Sequence, residues 1–93
     1  MADASVIVSV RNNAATLPEV LARLVDALAT AYPDFEVLAV DDGSVDGSWE
    51  EIVAAAAREP RIRGYRIVSA RGQAAVIAHA MSYVRSPHVV FLD

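Results

Sequence analysis

The residues best placed to do chemistry are Asp41 and Asp42, side by side in the stretch FEVLAVDDGSVDGS that runs from Phe35 to Ser48. The run Phe35 to Val40 is rich in the aromatic and β-branched residues that suit a strand buried on both faces. It turns polar within one residue. Adjacent carboxylates at the tip of such a strand are costly to hold together, because like charges repel and each needs solvent or a partner. Ligands of open α/β sheets bind outside the carboxyl ends of the strands, which predicts a binding loop here. The glycines of the loop allow a tight turn and close backbone approach. Ser48 and Glu51 have the spacing of a capping box, so the loop is expected to open directly into a helix. The plain alternative is a polar turn with an Asx-type helix start. A calcium loop also suggests itself, since Asp42, Ser44, Asp46 and Gly47 match its opening spacing, but Val53 stands where its closing glutamate would be.

The elements that must position this loop are legible on both sides of it. Ser5 to Val10 predicts a first strand that ends at the polar Arg11-Asn12-Asn13. Thr16 and Glu19 read as a second capping box, with Pro18 in the first turn. Leu17, Val20, Leu21, Leu24, Val25 and Leu28 then recur at helical spacing until Pro33. A second helix is predicted over Trp49 to Arg58, with Trp49, Ile52, Val53 and Ala56 on one stripe and Pro60 beyond it. Ile62 to Val68 alternates and reads as a strand nearer an edge, with Arg61, Arg63 and Arg66 on a solvated face. Gln73 to Val84 predicts a third helix, and His88 to Leu92 a fourth strand buried on both faces, followed by Asp93. His79 and His88 have no partner in sequence and read as structural. The β-α-β-α-β-α-β pattern predicts parallel strands joined by right-handed crossovers. In the order 3-2-1-4, three polar strand ends converge on one edge: Ser9 to Asn13, Asp41 to Ser44, and Asp93.

Composition narrows the classes. The chain has 93 residues, 55% of them hydrophobic, enough for one small domain with a core. It has no cysteine, which excludes disulfides, thiolate metal sites and a cysteine nucleophile, and fits a reducing cytoplasm. A net charge of −4 without a basic cluster argues against nucleic acid. No apolar run exceeds six residues, against the roughly 20 that span a bilayer. The opening MADASVIVSV lacks the basic start and long apolar middle of a signal peptide.

VIVSVRNN, VLAVDDGSVDGS, RGQAAVIAHA and VVFLD, in that order, resemble the first half of a family 2 glycosyltransferase with the GT-A fold. The similarity is to those that move a sugar from a nucleotide donor to a polyprenyl phosphate, and it covers essentially the whole chain. It implies a three-layer α/β/α sandwich, the Rossmann-like nucleotide-binding half, over residues 1–93 as a single domain of a longer protein. It implies that Ser9, Val10, Arg11 and Asn12 cradle base and ribose. Asp42 would accept from the base, with Asp41 and Gly43 beside it, and Arg71 and Gly72 would lie near the diphosphate. Asp93 would be the first member of an Asp-x-Asp pair contacting ribose or metal, its second member falling past the end of the sequence. A divalent cation, Mg²⁺ or Mn²⁺, and a UDP- or GDP-sugar are the implied cofactor and partner.

Two departures mark this chain. The family usually carries Pro-x-Tyr-Asn-Glu where Ser9-Val10-Arg11-Asn12-Asn13 stands here. The lost ring removes a stacking surface, which the Arg11 guanidinium can replace, and the lost glutamate removes a polar anchor. The resemblance implies a general base in the second half of such enzymes, so this chain alone is expected to bind nucleotide weakly and catalyse nothing. A non-enzymatic relative that uses the fold for association is the first alternative. A dinucleotide-binding oxidoreductase domain is the second, though the G-x-G-x-x-G turn after the first strand is absent. The open apolar edge of the fourth strand predicts homodimers or aggregation.

Overall fold

A computed structural model describes residues 2–68, 72–86 and 88–92. The elements alternate as expected: β1 (Ala4–Val10), α1 (Leu17–Ala31), β2 (Phe35–Asp42), α2 (Ser48–Arg58), β3 (Ile62–Ile67), α3 (Gln73–Met81) and β4 (Val89–Leu92). All strand pairs are parallel, in the order β3-β2-β1-β4. The register sets Val6 beside Val37 and Val8 beside Leu92, so the C-terminal ends of β1, β2 and β4 reach one edge.

Side chains alternate across the sheet and divide the core in two. Val6, Val8, Val10, Val37 and Ala39 pack under α1 and α2 with Leu17, Leu21 and Ile52. Ile7, Leu38 and Val40 pack under α3 with Val76 and Ala80. Three layers result. The helix that returns the chain from β3 to β4 covers the face opposite to α1 and α2, which makes the β1/β4 junction the switch point.

Where local motifs and tertiary contacts compete, the contacts win. Thr16 does not cap α1 with its side chain; its hydroxyl turns to the Asn13 carbonyl, and Glu19 pairs with Arg23 at 2.7 Å. Ser48 is not an N-cap either. Gly47 holds that position in the left-handed region (φ 94°), where a side chain would be strained, and Ser48 begins the helix. Strand β2 runs on through both aspartates, because Asp41 and Asp42 pair with Arg66 and Ile67 of β3. Helix α3 stops at Met81 instead of Val84, as Tyr83 leaves the helix to stack on Tyr65 (4.2 Å, 19°) and offers its carbonyl to Arg63 at 2.8 Å.

Two expectations about the edges need correction. Of the arginines expected on a solvated face, Arg61 and Arg66 are exposed, although Arg61 lies over the Phe35 ring and Arg66 lies 3.6 Å from Asp41, whereas Arg63 turns in to pair with the buried Glu36. Strand β4 is not buried on both faces. Val89, Val90 and Leu92 are 36%, 50% and 39% exposed, since among the described residues β4 pairs with β1 alone and only Phe91 of this strand packs into the core under α3.

Gly64 marks the closest approach of sheet to helix. A methyl group there would sit 2.5 Å from Ile52 Cγ2, a β-branched atom with no room to swing away. Gly64→Ala is expected to destabilise the fold by about 1–3 kcal/mol through overpacking. Urea denaturation reads this as a lowered midpoint; an unchanged midpoint would show that Ile52 gives way freely.

Candidate functional site

At the C-terminal edge of the sheet the chain leaves β1 and β2 through two loops that lie against each other. Ser9 and Asp42 face the α3 side, and α3 begins beside them. Together with Arg11, Asn13, Gly72 and Gln73 they line an open cleft of about 360 Å³, within the range of small-molecule sites. Asp42 is 3% exposed, and its Oδ2 accepts the Gly72 amide at 3.0 Å. Gly72 caps α3 with φ 86°, a conformation that lets the backbone N–H turn toward this carboxylate. An acid is thus seated at a helix N-terminus, where partial positive charge favours it.

Strand alternation separates residues that are neighbours in sequence. Val10 and Asp41 point to the opposite face and are fully buried. Asp41 Oδ1 accepts the Ser44 amide at 3.3 Å. Its Oδ2 makes no hydrogen bond among the described residues, but forms a looser ion pair with Arg66, whose guanidinium also lies over Trp49. The structure therefore brings Ser9, Arg11, Asp42 and Gly72 to one cleft and leaves the side chains of Val10 and Asp41 outside it. Gly43 makes the turn after β2. Asn12 directs its side-chain oxygen to the Val45 amide (2.9 Å), away from the cleft. Arg71 and Asp93 lie outside the described residues.

The two loops are joined by four hydrogen bonds. The Asn12 amide donates to Ser44 Oγ (2.9 Å), the Asn13 amide to Ser48 Oγ (3.1 Å), the Ala14 amide to Asp46 Oδ2 (3.0 Å), and the Val45 amide to Asn12 Oδ1. The Ser48 hydroxyl, first, and the Ala14 amide hold the Asp46 carboxyl below its ordinary range. Asn13, part of the polar end of β1 that the sequence marked, lines the cleft, and Gln73 joins it although the sequence did not single it out as a site residue. The position of Gln73, immediately after the glycine that opens α3, was the available signal.

Among the described residues no group of three or more His, Asp or Glu side chains could hold a metal ion. The cation ligand expected from the resemblance, Asp93, is not among the described residues. No helix among them is long and apolar enough to cross a membrane.

A family model described as glycosyl transferase family 2 matches residues 5–93. The chain is 37% identical over 90 residues to an undecaprenyl-phosphate 4-deoxy-4-formamido-L-arabinose transferase of Aeromonas hydrophila, an overlap covering 96% of this chain and 28% of that protein. It is 35% identical over 91 residues to the protein of the same description from Shewanella sediminis, covering 96% and 27%. Its fold is similar to that of a mannosyltransferase from Pyrobaculum calidifontis in complex with GDP-Man and Mn²⁺, with a TM-score of 0.70 at 23% identity over 91% of this chain and 27% of that one. The chain thus spans little more than a quarter of the length of these proteins.

Proposed function

The chain belongs to glycosyl transferase family 2, and on that footing we propose that it is the donor-nucleotide-binding part of an inverting transferase. The donor is a nucleotide diphosphate sugar of the UDP or GDP type. The acceptor is a polyprenyl phosphate, a reading supported by what the relatives from Aeromonas and Shewanella are described as using.

The observation that carries the proposal is the cleft itself, whose lining brings the Asp42 carboxylate together with Ser9, Arg11 and Asn13. Uracil and guanine each present an imide N–H, and a fixed carboxylate is the natural acceptor for it. Asp42 then selects the base, while Arg11 lays its guanidinium plane against the ring in place of the missing aromatic. Ser9 and Asn13 supply polar contacts to the nucleoside. Gly72 and the first turn of α3 face the diphosphate with backbone donors, and Gln73 adds a side-chain amide. A divalent cation, if held with the help of Asp93, would neutralise the leaving diphosphate. With no acceptor-activating base assigned to it, this chain binds donor and performs no transfer alone.

Titration of the chain with UDP, GDP and NAD in the presence of Mn²⁺ tests the reading. Weak saturable binding of UDP or GDP, with amide shifts at Ser9, Arg11 and Gly72, is expected. The replacement of the family's aromatic and glutamate by Arg11 and Asn13 favours one other reading, a fold kept for association only. Silence toward all three nucleotides would support it, and binding of NAD alone would point to the oxidoreductase.

A further inference from the structure

Arg11 and Asn13 reach the cleft from a segment without regular secondary structure, and something must hold that segment in place. Asn12 has a positive φ of 53°, uncommon for a residue with a side chain. Asparagine enters this region more readily than most residues, and here the conformation is held by neighbours. The constraint comes from the neighbouring loop, through the four bonds described above. Only one of them is charge-assisted, that from the Ala14 amide to Asp46 Oδ2 at 3.0 Å.

Asp46 also governs a second bond at one remove. Its Oδ1 accepts both the Ser48 hydroxyl at 2.6 Å and the Ser48 amide at 3.0 Å. With its proton committed to Asp46, Ser48 Oγ turns its lone pairs to the Asn13 amide at 3.1 Å. Two of the four ties therefore depend on one carboxylate, which does not itself line the cleft.

We propose that Asp46 is a positioning residue for the nucleoside cleft: by gripping Ala14 directly and Asn13 through Ser48, it fixes Arg11 and Asn13 opposite Asp42 and thereby sets donor affinity. The inference rests on the nucleotide-binding reading of the cleft. It assigns a task to the last acid of the DDGSVDG stretch, which otherwise reads as part of a turn. The depressed acidity of the Asp46 carboxyl agrees with it, since the Ser48 hydroxyl and the Ala14 amide both favour the ionised form.

Asp46→Asn isolates the effect. An asparagine keeps one oxygen to accept from Ser48, but must set an NH₂ group against the Ala14 N–H. The helix start survives while the tie to the β1–α1 loop is cut. The expected result is a Kd for UDP or GDP, whichever the wild type binds, raised by about tenfold, from the loss of one charge-assisted bond. The Ala14 amide resonance should move with pH in the wild type, with a midpoint below 3.8, the ordinary value for such a carboxyl, and should lose that titration in the variant. Should Asp46→Asn fail to fold, Ser48→Ala removes the acceptor of the Asn13 amide and is expected to weaken binding in the same direction. A folded variant with unchanged Kd overturns the inference alone, as does a drop in stability without a change in affinity of the folded fraction. A wild-type chain that binds neither nucleotide overturns the function proposed above, and the inference with it.

Discussion

Replacing Asp42 with alanine is expected to reduce UDP or GDP binding by 10- to 100-fold, roughly the loss of one hydrogen bond to a charged group at about 1.5–3 kcal/mol. For a chain that binds weakly, this amounts to abolition. The carboxylate is 3% exposed, so the proposed bond to a base imide would be made away from competing water. The same substitution strips the Gly72 amide of its acceptor and loosens the entry to α3, adding to the loss. Asp42→Asn separates the two contributions, because it keeps an oxygen for one donor while setting an NH₂ against the other. Calorimetric titration of the three chains measures this. Equal affinity across them would remove Asp42 from base recognition.

The largest effect on stability is expected at Glu36. It is 6% exposed at the start of β2, at the edge of the sheet opposite to the cleft. Its carboxylate accepts the Ser5 hydroxyl of β1, the Arg63 guanidinium of β3 and, at 2.7 Å, the Arg85 amide that precedes β4. Arg63 in turn donates to the Tyr65 hydroxyl and the Tyr83 carbonyl, both at 2.8 Å. One acid thus ties three strands and the connection that leads into β4. Glu36→Ala strips a fully buried hydroxyl and an amide of their acceptor and the Arg63 guanidinium of its counter-ion, at a cost of about 3–5 kcal/mol. Against a total stability of roughly 5–15 kcal/mol, this brings the chain close to unfolding.

The same site predicts a pH dependence. Burial works to raise the Glu36 pKa, but the Ser5, Arg85 and Arg63 bonds outweigh it and hold the group below its ordinary value of 4.5. A depressed acid contributes stability that is complete above the unfolded value and is lost as pH falls through the folded one. Urea midpoints should therefore hold above about pH 4.5 and decline below it on account of this group. Glu36→Gln should be less stable at neutral pH and flatter on acidification. A parallel decline in both chains would remove Glu36 from the acid response.

The strands, their order and the converging edge were legible because β-branched runs, prolines and glycines act locally. What was not legible has physical reasons. Ending β2 at Val40 hid the consequence of period two: once pairing with β3 carries the strand to Asp42, adjacent aspartates must face opposite sides. The partner of Arg63 lies on another strand, and no local pattern points to Glu36. The two capping boxes are correct as spacings, yet Thr16 and Ser48 spend their hydroxyls on contacts their own helices do not specify. Val89, Val90 and Leu92 show the converse: an apolar run announces a preference for burial, while exposure depends on which neighbours are present.

The separation of the Glu36 knot from the cleft has a consequence for how this protein can change. Six residue steps of strand, roughly 20 Å, separate Glu36 from Asp42. Integrity is anchored at one margin of the sheet, and the recognition proposed above would be exercised at the other. Substitutions such as those at Arg11 and Asn13 can therefore accumulate around the ligand without dismantling the scaffold, leaving the architecture free to be retuned for a different guest.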